Sequence, residues 1–342
     1  MSNSLKYIIF NFYFFSTKNN MPIIKSNYNP PHIFKNGHFS TIYAGLYRKV
    51  DGVYQRRERI TLSDNDFIDL DWSYAAHHKN VSKLIVILHG LEGNAQRAYI
   101  KGTAKVFNRN GYDAVAMNYR SCSGEQNRLF RAYTAGATED LREVMTHILT
   151  HYPQYGHIVM KGFSLGGNLL LKYLGEPIRV PKEVKAAIAV SVPCRLDGSL
   201  KQMRRAENYL YNKMFIKYLR RKLLEKHAAF PSLISLEEIE KAKSMFQIDN
   251  LYTSKAHGFE DAQDYYDKCS SRQFIPTIKI PTLLINAKND SFLSKCCYPI
   301  EEAEQNEHFY FEMPKYGGHV GFFDGGEVYY NEKRAFDFAT LA

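Results

Sequence analysis

The chain has 342 residues, of which 45% are hydrophobic and 23% charged, and its formal net charge is +10. A chain of this length with a mean hydropathy of −0.39 can bury a large core, which excludes a disordered polymer, a collagen-like repeat and a small disulfide scaffold. The basic balance favours contact with something anionic, a membrane surface or a polyphosphate, and carries no information about fold.

At the N-terminus, Lys6 precedes the apolar run from Tyr7 to Phe15, a loose imitation of a signal sequence. Asn11 interrupts that run, no small-residue cleavage site follows, and Met21 opens a new Pro-containing segment. Residues 1–20 are therefore read as an extension or disordered lead, with a signal or anchor as the alternative. From about residue 58 short apolar runs alternate with helical patterns, the signature of a parallel sheet with crossover helices. Leu84–Leu88, Asp113–Met117, His157–Met160, Ala186–Val190, Thr282–Asn286 and Phe309–Met313 read as strands, several of them apolar throughout, as expected where both sheet faces are covered. Helices are predicted over Ala137–Thr150 and Asn168–Leu174.

The alternation breaks between about Cys194 and Phe274. No strand pattern occurs there, whereas Leu200–Lys226 and Leu236–Phe246 have helical periodicity, the second with Ser235 as its N-cap. The stretch from about 194 to 275 is predicted to be a helical cap inserted between two strands of one domain spanning residues 21–342. It also holds most of the excess charge: from Arg195 to His227 there are ten Lys and Arg against three Asp and Glu. Basic residues interleave with Leu210, Phe215, Tyr218, Leu219, Leu223 and Leu224. That pattern fits the solvated outer face of a lid, and its alternative is a helix lying on anionic lipid. Nucleic-acid binding would require a recognisable reading module, and none is present.

The chemistry lies in Gly162-Phe163-Ser164-Leu165-Gly166, a G-x-S-x-G string between a predicted strand and a predicted helix. That context is what a nucleophile elbow needs: the turn is tight, and residues two before and two after the serine must lack bulk. A serine hydroxyl needs a base, and the base needs an orienting acid, in the chain order Ser, acid, His. Asp290 follows the strand Thr282–Asn286, and His319 follows the last strand between glycines. Asp197 is the competing acid. Asn289 cannot carry the charge that stabilises an imidazolium. The oxyanion hole requires two backbone N–H groups, assigned to Leu165, next after the nucleophile, and to Leu91 in His89-Gly90-Leu91-Glu92-Gly93. His89 is assigned to holding that loop and not to catalysis.

Several further features are read as structural or incidental. Asn118-Tyr119-Arg120 reads as a turn, with a substrate-facing loop as its alternative. Cys122 has no second His and acid to serve it as a nucleophile. His77-His78 lacks metal-ligand partners, and the spacing of His319 and Asp324 is taken as coincidence. Five scattered cysteines without a CxxC pair indicate reduced thiols and a cytoplasmic protein.

Beyond these residues the chain resembles α/β-hydrolases of the YheT-like group, bacterial relatives of eukaryotic medium-chain ester lipases and acyl-ester synthases. The shared motifs include Asn36-Gly37-His38 with Thr41-Ile42-Tyr43, His89–Gly93, Asn118-Tyr119-Arg120, Cys122–Glu125 and Gly162–Gly167. They continue with Gly258-Phe259, Asp264-Tyr265-Tyr266, Pro281-Thr282-Leu283 and Gly317–Phe322. The resemblance implies an α/β-hydrolase fold, a Ser164-Asp290-His319 triad and a serine carboxylesterase that needs no cofactor or metal. With the aromatic-rich cap it also implies esters of short to medium acyl chains, lipid esters included. An acyltransferase or alcohol-ester synthase would carry the same triad, and a non-catalytic membrane-surface protein on a hydrolase scaffold is the reading from another class. Two departures stand out: Ser121 and Asn289 replace an expected glycine and aspartate. Asn36-Gly37-His38 either closes over the site or braces the fold.

Overall fold

The computed structural model describes residues 22–75 and 80–341. The N-terminal lead and His77-His78 lie outside the described residues. A nine-stranded sheet forms the centre: β1 (Ile23–Ile24), β2 (Arg56–Thr61), β3 (Phe67–Ser73), β4 (Lys83–Leu88), β5 (Asp113–Asn118), β6 (His157–Phe163), β7 (Val184–Val190), β8 (Thr282–Ile285) and β9 (Phe309–Glu312). Their spatial order is β1-β9-β8-β7-β6-β4-β5-β3-β2. Pairing is parallel except at β2–β3 and β3–β5.

The period-two alternation of the strands separates two cores. Leu84, Val86 and Leu88 of β4 face the helices Thr138–His151 and Leu165–Gly175, with Leu141, Val144, Leu169 and Leu170 in the same cluster. Ile85 and Ile87 face the other way, toward Ile100, Ala104 and Phe107 of helix Ala98–Arg109 and Ala335 and Phe338 of helix Tyr330–Leu341. Both sheet faces are therefore dry, and this accounts for strands that are apolar along their length.

All six predicted strands form. The β2–β3 hairpin departs from the reading because β2 is mostly charged and β3 contains two acids. Asp69 and Asp71 are buried yet paired, each accepting two hydrogen bonds from one guanidinium, that of Arg59 (2.8 and 2.8 Å) and of Arg57 (2.7 and 2.9 Å) respectively. Bidentate pairing lets acids occupy a strand that hydropathy alone would reject.

Between β7 and β8 the described chain contains only helical elements. The helix predicted over Leu200–Lys226 is two helices, Leu196–Met203 and Tyr209–Ala229, with a single turn between them. The break is at buried Asn208, whose Nδ2 donates to Gln202 O (3.0 Å) and Ser291 O (2.7 Å), so its amide binds the end of the first helix and a core loop together. Ser235 caps its helix as predicted, through a capping box with Glu238, but that helix stops at Lys241 and Ser244 caps the next. Among the described residues no helix is long and apolar enough to cross a membrane.

Candidate active site

β6 runs to Phe163, and its helix begins at Leu165, three residues earlier than predicted. Only Ser164 separates the two, with φ 53° and ψ −119°. A non-glycine residue in that region costs about 1–3 kcal/mol and persists only where its surroundings enforce it. They do so here by contact: a Cβ at Gly162 would run into the Gly166 carbonyl, and one at Gly166 into the His89 carbonyl. The strained turn lifts Ser164 Oγ out of the sheet's carboxyl edge.

His319 and Asp290 meet it there. His319 Nε2 lies 2.9 Å from Ser164 Oγ, and His319 Nδ1 lies 2.8 Å from Asp290 Oδ2. An ionised carboxylate can only accept, so Nδ1 carries the proton and Nε2 is left to accept from the Ser164 hydroxyl. The Asp290 side chain is fully buried, and its Oδ1 accepts from the Phe292 N–H at 2.9 Å. The Phe292 ring stacks on the imidazole with centroids 4.3 Å apart. Asp197, the competing acid, instead sits on a cap helix beside Arg195 and Lys201.

The loop His89–Gly93 passes directly behind the serine, so closely that a Cβ on Gly90 would lie 3.1 Å from Ser164 Cβ. Leu91 belongs to this loop and Leu165 opens the helix, where a first-turn N–H has no partner within the helix. His89 is fully buried: Nδ1–H donates to Gly90 O (2.8 Å), and Nε2 accepts from the Tyr119 N–H (3.2 Å). Burial pushes its pKa from 6.5 down to about 3, so it is a neutral brace. Between those values the unfolded chain binds the proton and the folded chain does not, so lowering the pH destabilises the fold. The stability advantage of the wild type over His89→Asn, measured by urea unfolding, is expected to shrink by about 2 kcal/mol between pH 7 and pH 5. A gap that stays constant would show that His89 is not held neutral.

Three features were not found by reading the sequence. First, the N-terminal segment braces the His319 loop. Thr41 Oγ1 accepts from the His319 N–H (2.8 Å), Ser40 Oγ donates to Gly317 O (3.1 Å), and Asn289 joins Gly318 N–H to Lys35 O at 3.0 Å each. Asn36-Gly37-His38 is thus part of a brace, and Asn289 has a structural task that needs its amide donor. Arg120 is structural too, buried among Asp64, Asp66 and Asp140.

Second, the cap is tied to the loop containing Leu91. Lys222, on helix Tyr209–Ala229, reaches the nearly buried Glu92 carboxylate at 2.9 Å and donates to Cys122 Sγ at 3.2 Å. Tyr133 OH donates to the same carboxylate (2.6 Å) and accepts from the Glu92 N–H (3.1 Å). Burial works against the Lys222 charge, but the Cys122 sulfur and the Glu92 carboxylate hold its pKa above the ordinary lysine value. Removing one partner of such a pair leaves a buried charge unpaired. Lys222→Met is therefore expected to cost about 2–3 kcal/mol in urea unfolding, with most of it recovered in Lys222→Met/Glu92→Gln. Equal losses in the single and double variants would exclude the pair as the cause.

Third, a cavity of about 410 Å³ opens beside Ser164 and His319, between the sheet edge and the cap. Its apolar wall includes Leu196, Leu200, Met203, Phe215, Met245 and Ile248. Asp249 lies within it, accepting from Tyr266 OH (2.6 Å) and Thr253 Oγ1 (2.8 Å), and burial raises its pKa to about 6.

A mostly parallel sheet with both faces covered, and a strained serine between β6 and its helix, define the α/β-hydrolase architecture. The profile of the family described as alpha/beta hydrolase fold matches residues 83–326. The chain is 33% identical over 301 residues to YheT of Escherichia coli (strain K12), covering 86% of this chain and 87% of that one. It belongs to the α/β-hydrolase fold family and, within it, to the YheT-like group, as its motifs led one to expect. It is also 30% identical to the mouse (Mus musculus) protein named Phospholipase ABHD3, over 89% of this chain and 75% of that one. The solved structure of an esterase from Pyrococcus furiosus superposes with a TM-score of 0.57 at 17% identity, over 86% of this chain and 96% of the other, a likeness of fold.

Proposed function

We propose that this protein is a serine carboxylic ester hydrolase acting on esters of short to medium acyl chains. One observation carries the reading: the continuous hydrogen-bonded chain Ser164 Oγ, His319 Nε2, His319 Nδ1, Asp290 Oδ2 at the floor of an apolar cavity. His319 Nε2 takes the Ser164 proton as Oγ attacks the ester carbonyl, and the Leu165 and Leu91 N–H groups hold the resulting oxyanion. Asp290 keeps the imidazole in its working tautomer and stabilises its charged form. The imidazolium then protonates the departing alkoxide, leaving an acyl-Ser164 ester. Water, deprotonated by the same His319, attacks that ester and releases the acid.

The mouse relative's name, a phospholipase, supports an ester of lipid type. The cavity volume of about 410 Å³ falls in the small-molecule range of about 300–1,000 Å³ and supports a moderate acyl chain. The cysteines of the described residues, Cys122, Cys194, Cys269, Cys296 and Cys297, are all free, which supports a cytoplasmic setting. The test is labelling of the wild-type protein with a fluorophosphonate probe, the adduct located by peptide mapping, beside turnover of p-nitrophenyl esters of graded length. The expected result is an adduct on Ser164 and turnover that peaks at short to medium chains and falls for palmitate. A folded protein that neither labels nor turns over would overturn the reading.

A further inference from the structure

We propose that the rim of this cavity is a docking surface for an anionic lipid bilayer. Two elements contribute exposed apolar side chains to the outer edge of the cavity. One is the segment Gly37–Tyr47, where Ile42 and Leu46 line the cavity; the other is the cap helix Tyr209–Ala229, where Met214 does. All three are exposed, Leu46 at 73%. His38 and Tyr211 tie the two elements together, through a hydrogen bond between His38 Nδ1 and Tyr211 OH (3.3 Å) and stacked rings 5.8 Å apart.

Apolar exposure continues outward from this edge. Tyr47 is 67% and Leu210 75% exposed. On the cap helix Leu210, Lys213, Met214, Lys217, Arg221 and Leu224 are all exposed; Leu210, Lys213, Lys217, Arg221 and Leu224 follow at steps of three or four residues and Met214 lies four after Leu210, so they share a face. Aliphatic and cationic side chains therefore alternate along one surface-facing stripe, while Lys222 and Lys226 of the same helix point inward, to Glu92 and to the carbonyl of Leu129. Glu225, near Arg221, is the acid that opposes the stripe.

Apolar side chains backed by Lys and Arg are what a peripheral protein presents to an anionic interface, where insertion and charge attraction act together and neither alone suffices. A second copy of the chain is a poorer occupant. A two-fold contact would bring the same patch against itself, facing Lys213, Lys217 and Arg221 of one copy toward those of the other. Docking in this orientation lets an acyl chain leave the bilayer past Leu46 and Met214 into the apolar cavity without crossing water.

The binding assay uses the full chain carrying Ser164→Ala, so that it is independent of turnover, in flotation with phosphatidylcholine vesicles with and without phosphatidylserine. Binding is expected to the anionic vesicles and to fall with added salt. Lys213→Glu/Lys217→Glu/Arg221→Glu should weaken it at least about 100-fold, each basic side chain near an anionic surface counting separately. Tyr47→Ser/Leu210→Ser should also weaken it, with circular dichroism confirming the fold of each variant. None of these residues lines the cavity, so both sets made in the wild-type background should hydrolyse a soluble short-chain ester as the wild type does. The proposal is overturned if the charge-reversed protein floats like its parent or the parent ignores anionic vesicles. A dimer in light scattering that Leu210→Asp dissociates would also overturn it. An inactive wild type whose Ser164→Ala variant still floats would count against ester hydrolysis alone.

Discussion

Ser164→Ala is expected to reduce kcat/KM for a p-nitrophenyl ester by about 10⁶, the loss found when a nucleophile is removed from a hydrogen-bonded serine triad. The whole effect should be chemical. The Ser164 N–H donates to Val190 O at 2.8 Å, and the Asn168 N–H reaches Ser164 O at 3.0 Å, so the backbone of the turn is anchored by bonds that alanine keeps. Among the described residues the side chain makes one polar contact, to His319 Nε2, and the strain at φ 53° is the same for alanine. Unfolding midpoints should therefore move little while turnover collapses. A residual rate about 10³–10⁴ above that of water would remain, carried by the oxyanion donors and by binding. A variant that keeps a tenth of the wild-type activity would remove Ser164 from the nucleophile's place.

The elements that could be read from the sequence are those whose reason is local. The elbow is legible because its tightness excludes side chains at Gly162 and Gly166, and the strands around it because both faces are dry. The meeting of Asp290 and His319 with Ser164 is legible in order and place, since each follows a strand whose end lies at the same sheet edge. What stays hidden depends on partners remote in sequence. Asp69 and Asp71 look wrong for a buried strand until Arg57 and Arg59 are seen across the hairpin. Thr41 looks like an ordinary helical residue until the fold carries it beside a backbone N–H 278 positions away. Asn208 breaks a helix that its periodicity would continue, because its amide is claimed by Ser291 on the loop after β8. Lys222 belongs by charge to the basic stripe, and only the packing of the cap shows that it faces Glu92.

Asp290→Asn should lower kcat/KM by about 10⁴ with the fold intact. Asparagine has the size to keep one contact: its oxygen can accept from the Phe292 N–H, as Asp290 Oδ1 does now. The other contact decides the outcome. With its oxygen engaged by Phe292, the amide turns its NH2 toward His319 Nδ1, which must then accept. The imidazole proton moves to Nε2, the atom that has to receive the Ser164 proton, and the base is lost without any displacement of the ring. The imidazolium formed during attack also loses its only carboxylate partner among the described residues. Fluorophosphonate labelling should slow by a similar factor, since it needs the same deprotonation of Ser164. Asp197→Asn, on the cap helix beside Lys201, should leave both rates near wild type. The reverse outcome, a full rate in Asp290→Asn and a collapse in Asp197→Asn, would give the acid's role to Asp197.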